Sequence, residues 1–258
     1  MTTDDYGLSR ALQSAWGIAP APTKGPRPRL SLEQIVTTAV ELGDRDGVDA
    51  ITMSGVAKRL GSGVMSLYRY VESREDLLIL AADAALASPP SSSTHESLDD
   101  DDGWRVRTAA WATAMRRTYQ AHPWLTALPI TSEPLMPSRV RWLEAGLACL
   151  AGSGLGGAEA ISVVTLLWTY IRGDVELGAS MGASVPEVDD VNAFLAGRLR
   201  AMAPPGEFPR MLAILDGEVA GGSDDTDFEL AIDVILAGVA ARAESADRLA
   251  TDAPSDRR

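Results

Sequence analysis

The stretch from Thr52 to Val71 constrains this chain most. Thr52 stands where it can cap a short helix carrying Val56, Ala57 and Leu60, and Gly61 closes that helix. A Gly61-Ser62-Gly63 turn follows, and then Val64-Met-Ser-Leu-Tyr-Arg-Tyr-Val71. Two short helices joined by a Gly-containing turn have the spacing of a helix-turn-helix. At about 100° per residue, Leu67 and Val71 of the second helix point one way, with Gly63 beside them, and Met65, Ser66, Tyr68 and Arg69 point the other. The outward set offers a guanidinium fork, a hydroxyl, a phenol and an apolar tip. Arg69 suits a guanine edge, Ser66 a base or phosphate, and Met65 a thymine methyl. Tyr68, Tyr70 and Arg74 suit phosphates, which fix position without reading sequence. From geometry alone a second reading stands beside this one, in which the same residues coat a solvated helix.

The flanking sequence organises around this unit. Residues 1–29, rich in Pro and Gly, read as a flexible arm, and Arg27 and Arg29 beside Pro26 and Pro28 suit an adjacent minor groove. Helical spacing starts at Ser31, which with Gln34 forms a capping box, and continues through Leu42. The segment Asp44 to Gly47 reads as a polar break. Ser73 caps a further helix reaching about Ala87, with Glu75 and Asp76 in its first turn. This defines a helix-turn-helix domain over 30–87. Residues 88–103 read as an acidic, Ser/Pro-rich linker. Residues 104–245 show helical spacing throughout and read as a second, larger helical domain, and 246–258 as a disordered tail. No alternating strand pattern is present, so the predicted fold class is all-α.

Charge follows the same division. The net charge is −13, yet residues 24–74 carry eight bases and six acids, while residues 75–258 carry 14 bases and 28 acids. A small cationic module attached to an acidic one accounts for the asymmetry, and so do two solvated surfaces of different composition. The longest apolar run, Ile161 to Ile171, is too short for a membrane span, and the N-terminus lacks a signal-peptide pattern, which points to the cytoplasm. One cysteine, Cys149, and two histidines, His95 and His122, leave most metal and triad chemistries without parts. No catalytic residue, metal site or cofactor is expected. Gly152-x-Gly154-x-x-Gly157 matches the dinucleotide fingerprint literally, but it follows a helix and no βαβ unit surrounds it, so it reads as a helix end and loop.

The chained pattern is more specific than any single turn. Ile35-Val-Thr-Thr-Ala-Val-Glu-Leu42, Gly47-Val-Asp-Ala-Ile-Thr-Met-Ser54, Val56-Ala-Lys-Arg-Leu-Gly61, Met65-Ser-Leu-Tyr-Arg-Tyr-Val71 and Arg74-Glu-Asp-Leu-Leu78 together resemble the TetR family of bacterial transcriptional regulators. His122-Pro-Trp-Leu125 and Arg141-Trp-Leu-Glu-Ala145 are similar to the tetracycline-repressor-type regulatory domain. The resemblance implies that Thr52, Ser54, Val64, Met65, Ser66, Tyr68, Tyr70 and Arg74 occupy DNA-contact positions. It also implies a homodimer, released from a palindromic double-stranded operator when a small apolar or amphipathic effector binds. Two departures stand out. Ser62 occupies a turn position where the family usually places an apolar residue, and Ser54 stands where some members have a base-reading Arg.

In the larger domain, Trp111, Met115 and Tyr119 on one helix face, with Trp142 and Trp168, read either as core or as pocket wall. Arg116, Arg172 and His122 are candidate polar anchors. The apolar helix 158–178 and the last helix, about 226–243, are candidates for the dimer face. The competing reading for the whole chain is a helical ligand-binding or protein-interaction module whose DNA-reading helix has degenerated.

Overall fold

The computed structural model describes residues 9–18, 30–89, 103–129, 135–184, 191–217 and 224–251. Arg27, Arg29, His95 and most of the acidic linker lie outside them. Among the described residues there are eleven α-helices and no strand.

The N-terminal unit starts earlier than its composition suggests. Residues Arg10–Ala15 form a helix, α1, inside what reads as a flexible arm. Ser9 Oγ accepts the Leu12 N–H, and Gly17 (φ +67°) ends the helix with its own N–H on Ser14 O and that of Ile18 on Gln13 O. Both ends are therefore capped locally, and Ala11 and Leu12 are buried.

Next, α2 (Leu32–Asp46) opens on the capping box of Ser31 and Gln34. It runs a turn past Leu42, through the segment Asp44–Asp46 that reads as a break, because the stop is Gly47 (φ +82°). A 3-10 turn, Val48–Ala50, leads to α3 (Met53–Arg59), capped by Thr52 Oγ1 accepting the Gly55 N–H. The second helix of the pair, α4 (Val64–Leu67), is one turn of regular helix. The Tyr70 and Val71 N–H groups then both bond to Leu67 O and tighten it. Gly63 is exposed and faces open space as the N-cap of α4, instead of packing beside Leu67. Leu67 and Val71 are buried, as the spacing predicts.

Ser73 caps α5 (Arg74–Leu86), which is apolar around its circumference. Such a helix must be covered on several sides. It packs on α1 and α2, and on α6 (Gly103–Ala121) and α7 (Pro137–Cys149). A 3-10 turn, Pro123–Ala127, follows α6. Then come α8 (Gly157–Ser184), α9 (Val191–Met202), α10 (Pro209–Asp216) and α11 (Asp224–Thr251). The helical backbone of α11 extends to Thr251, into the segment that reads as a disordered tail. Gly152 and Gly154 take positive φ in the loop between α7 and α8, so the Gly-x-Gly-x-x-Gly string is a helix end and a loop. No helix of the described residues is long and apolar enough to cross a membrane.

Ser62 Oγ is buried in the turn between α3 and α4 with no hydrogen-bond partner among the described residues. A buried hydroxyl left unpaired costs about 1–3 kcal/mol. Ser62→Ala is therefore expected to stabilise the fold by about 1 kcal/mol, seen as a higher urea midpoint at unchanged slope. A lower midpoint would contradict this assignment.

Candidate nucleic-acid interface and regulatory cavity

Burial of Leu67 and Val71 sets the aim of the reading segment. With these two anchored, Met65 is 78% exposed and Tyr68 45%, and Ser66 and Arg69 are exposed beside them. Ser54 on α3 is also exposed, its Oγ 3.3 Å from Thr52 Oγ1. Val64 is half-buried. Met65, Ser66, Tyr68 and Arg69 thus face outward, as the helical spacing predicts.

Three residues assigned to phosphates or DNA contact do structural work. The Tyr70 hydroxyl donates to Leu30 O at 2.6 Å and holds the entry to α2. Arg74 Nε donates to Ile51 O at 2.8 Å and Nη2 to Val48 O at 3.2 Å, tying the start of α5 to the turn before α3. Thr52 is occupied as the cap of α3. Each partner of Tyr70 and Arg74 lies more than twenty residues away in sequence, beyond the reach of local spacing.

The regulatory domain joins this module at a close contact. An added Cβ at Gly43 would stand 2.7 Å from the Trp124 ring, so only glycine lets the indole lie against α2. Trp124 Nε1 donates to Asp44 Oδ1 at 2.7 Å, and His122 Nδ1 lies 2.6 Å from the same oxygen. His122 is therefore an interdomain contact and not a pocket anchor. The turn that carries Trp124 is held from the other side by Arg172. Its guanidinium donates to Leu125 O (3.1 Å), Thr126 O (2.8 Å) and Leu128 O (2.8 Å) and stacks over Tyr119 at 5.6 Å.

The aromatic stripe resolves mostly into core. Trp111, Met115, Tyr119 and Trp142 are buried. Trp111 and Trp142 meet edge to face at 6.2 Å. Trp111 Nε1 donates to Trp142 O, and Trp142 Nε1 to Leu86 O. Trp168 is half-buried and donates to Tyr119 Oη at 2.8 Å. Of the six residues assigned to a ligand pocket, Tyr119 and Arg172 line a cavity between α5 and the regulatory domain, of about 180 Å³. Leu78, Ile79, Ala82 and Leu86 of α5 form one wall, and Leu125, Leu128 and Pro129 another, with Glu75 and Arg139 also lining it. Trp111, Met115, Trp142 and Trp168 do not line it.

Arg116 is a buried structural ion. Nε donates to Asp174 Oδ2 (2.7 Å) and Nη1 to Asp225 Oδ1 (2.6 Å), and the fork lies 4.5 Å over the Phe228 ring. Burial opposes its charge, but the two carboxylates more than offset that and hold its proton more tightly than usual. Burial pushes the Cys149 thiol up, so it is a poor nucleophile. Among the described residues no cluster of His, Cys, Asp or Glu is placed to hold a metal ion.

These features match known proteins. A family model described as the tetracyclin repressor-like, C-terminal domain matches residues 96–243. The chain belongs to the tetracycline-repressor family of helix-turn-helix transcriptional regulators. Among curated relatives of this family, the HTH-type transcriptional repressor DrrR1 of Streptomyces coeruleorubidus is 33% identical over 67% of this chain and 62% of its own length. An HTH-type transcriptional regulator of Saccharopolyspora erythraea is 30% identical over 84% of this chain and 87% of its own. Apo ActR from Streptomyces coelicolor superposes with a TM-score of 0.70 at 27% identity, covering 86% of this chain and all of that one. ActR in complex with actinorhodin superposes with 0.67 at 27% identity, over 85% and 99%.

One half-buried acid links α5 of this family member to its regulatory domain. Asp83 on α5 accepts the Ser138 N–H at 2.8 Å, at the start of α7. Burial raises its pKa despite that bond and the nearby Arg141 and Arg139. The folded protein therefore holds the proton to higher pH than the unfolded chain, and Asp83 costs stability as pH rises through that window. Asp83→Asn keeps an acceptor for Ser138 and removes the titration. Urea unfolding is expected to show the variant gaining on the native protein from acid to neutral pH. A gain that shrinks with rising pH would contradict the assignment.

Proposed function

We propose that this regulator is a ligand-responsive repressor that grips a palindromic operator as a homodimer. The observation that carries the reading is the exposed face of Met65, Ser66, Tyr68 and Arg69, held outward by buried Leu67 and Val71. In this reading Arg69 reads a base edge and Ser66 and Tyr68 contact the backbone. Arg27 and Arg29 are proposed for the adjacent minor groove. The curated relatives are named as repressors or regulators, which supports the sign of the response. Contact with chromosomal duplex locates this work in the cytoplasm.

The dimer face fits α8 and α11. Ile161, Leu166 and Leu177 on α8, and Leu230 and Val234 on α11, are each about half exposed or more. Of these, Leu166 and Val234 line an open groove between the two helices, of about 600 Å³, together with Val163 and Ile235. A second copy would cover this stripe and set two α4 faces about 34–36 Å apart on one side of the duplex.

Tyr119 and Arg172 are proposed to meet the effector, at the cavity beside α5. At about 180 Å³ it is smaller than the roughly 300–1,000 Å³ of drug-sized sites. A ligand therefore fits best where α5 has moved away from Leu125 and Leu128. Its differential affinity for that state shifts the population away from the operator-binding spacing. ActR, a structural neighbour, is known in complex with actinorhodin, which supports a small-molecule effector.

Fluorescence anisotropy on duplex fragments selected from the native chromosome tests this reading. Specific binding with a steep salt slope is expected. Arg69→Ala is expected to lose about 1–3 kcal/mol on the selected site and to relax specificity at one position. A folded dimer that binds no fragment above background would overturn the reading.

A further inference from the structure

Helix α1 touches three parts of the molecule. Its buried residues, Ala11 and Leu12, pack in the core, and the helix lies against α5. Arg10 reaches the segment that follows α4. Nη2 donates to the main-chain carbonyl of Arg69 at 3.2 Å, and Nη1 pairs with Glu72 Oε1 at 3.2 Å. At the other end of the helix, Trp16 Nε1 donates to Leu135 O at 2.8 Å. Leu135 precedes Met136, the N-cap of α7, so this contact lies on the regulatory domain.

The chemistry at each end favours a tie over a surface accident. Arg10 holds the backbone of Arg69 and leaves the Arg69 side chain exposed on the reading face. Trp16 remains 46% exposed, yet its single donor is matched to a carbonyl from the other domain. The caps at Ser9 and Gly17 make the six-residue helix a closed unit, about 9 Å long. Besides α5 and the contacts of Trp124 and His122 with Asp44, α1 is a further connection between the reading module and the regulatory domain, and one that reaches the Arg69 backbone.

We propose that α1 is a positioning strap, in which Arg10 and Trp16 tie the Arg69 backbone to the regulatory domain at Leu135 and so fix the separation of the two reading helices in the dimer. The proposal rests on the DNA-reading role of α4 given above. Arg10 and Trp16 are positioning residues and touch no base. Their signature is tolerance of half-site spacing, not loss of binding as such.

The test uses the full-length chain and its Arg10→Ala, Trp16→Ala and Trp16→Phe variants. The probes are the selected operator duplex and versions with one base pair inserted or deleted at its centre. The native protein is expected to discriminate strongly against both altered spacings. The variants are expected to lose that discrimination at least severalfold, mainly by binding the altered duplexes better, with thermal midpoint and dimer assembly unchanged. Trp16→Phe keeps the ring and removes the donor, so it is expected to follow Trp16→Ala, and it serves if Trp16→Ala does not fold. An unchanged spacing preference, or an equal loss on all three duplexes, would overturn the strap while leaving DNA reading intact. Failure of the native protein to bind any duplex specifically would instead reject the reading of α4, and the strap with it.

Discussion

Burial of α5 on several sides is the constraint from which the rest of this structure follows. Leu77, Leu80 and Ala81 are buried, while Leu78, Ile79 and Ala82 line the cavity toward the regulatory domain. A helix apolar all round cannot lie on a surface, so the reading module and the regulatory domain must share it. Arg74 at its first position then carries the turn before α3, through the carbonyls of Ile51 and Val48. A displacement of α5 would be passed to the reading helices at their base through these bonds, because packed interiors shift between arrangements and do not stretch.

The turn Pro123–Ala127 makes the second connection. Arg172 holds its carbonyls from the side of α8, and Trp124 and His122 hold Asp44 on α2. Leu125 in this turn, and Arg172 itself, also line the cavity beside α5. The cavity, the turn and the end of α2 are therefore consecutive contacts. A molecule that draws Arg172 off the Leu125, Thr126 and Leu128 carbonyls would leave three acceptors in need of partners and loosen the grip on Asp44.

Local signals carried much of the fold. Ser31 with Gln34, Thr52, Ser73 and Gly47 act through hydrogen bonds or dihedral preferences within a few residues, so the starts of α2, α3 and α5 are legible directly. The outward aim of Met65, Ser66, Tyr68 and Arg69 follows from helical spacing once Leu67 and Val71 are assigned to the core. What spacing does not reveal is set by distant partners. Tyr70 and Arg74 look like phosphate donors until Leu30, Val48 and Ile51 supply their acceptors. Trp111 and Trp142 read as core or as pocket wall, with core the favoured reading, until the α6–α7 contact brings their rings together. Helix α1 is marked only by Ser9 and Gly17, inside a Pro- and Gly-rich setting. Its six residues carry too short an apolar pattern to stand out, and their burial depends on α5.

The central claim is that two copies of the face around Arg69 enter one duplex together. Hydroxyl-radical footprinting of the dimer on its selected operator tests this most directly. The account predicts two protected tracts on one face of the DNA, centred about one helical turn, 34–36 Å, apart. A single tract, or full protection by a monomer, would contradict it.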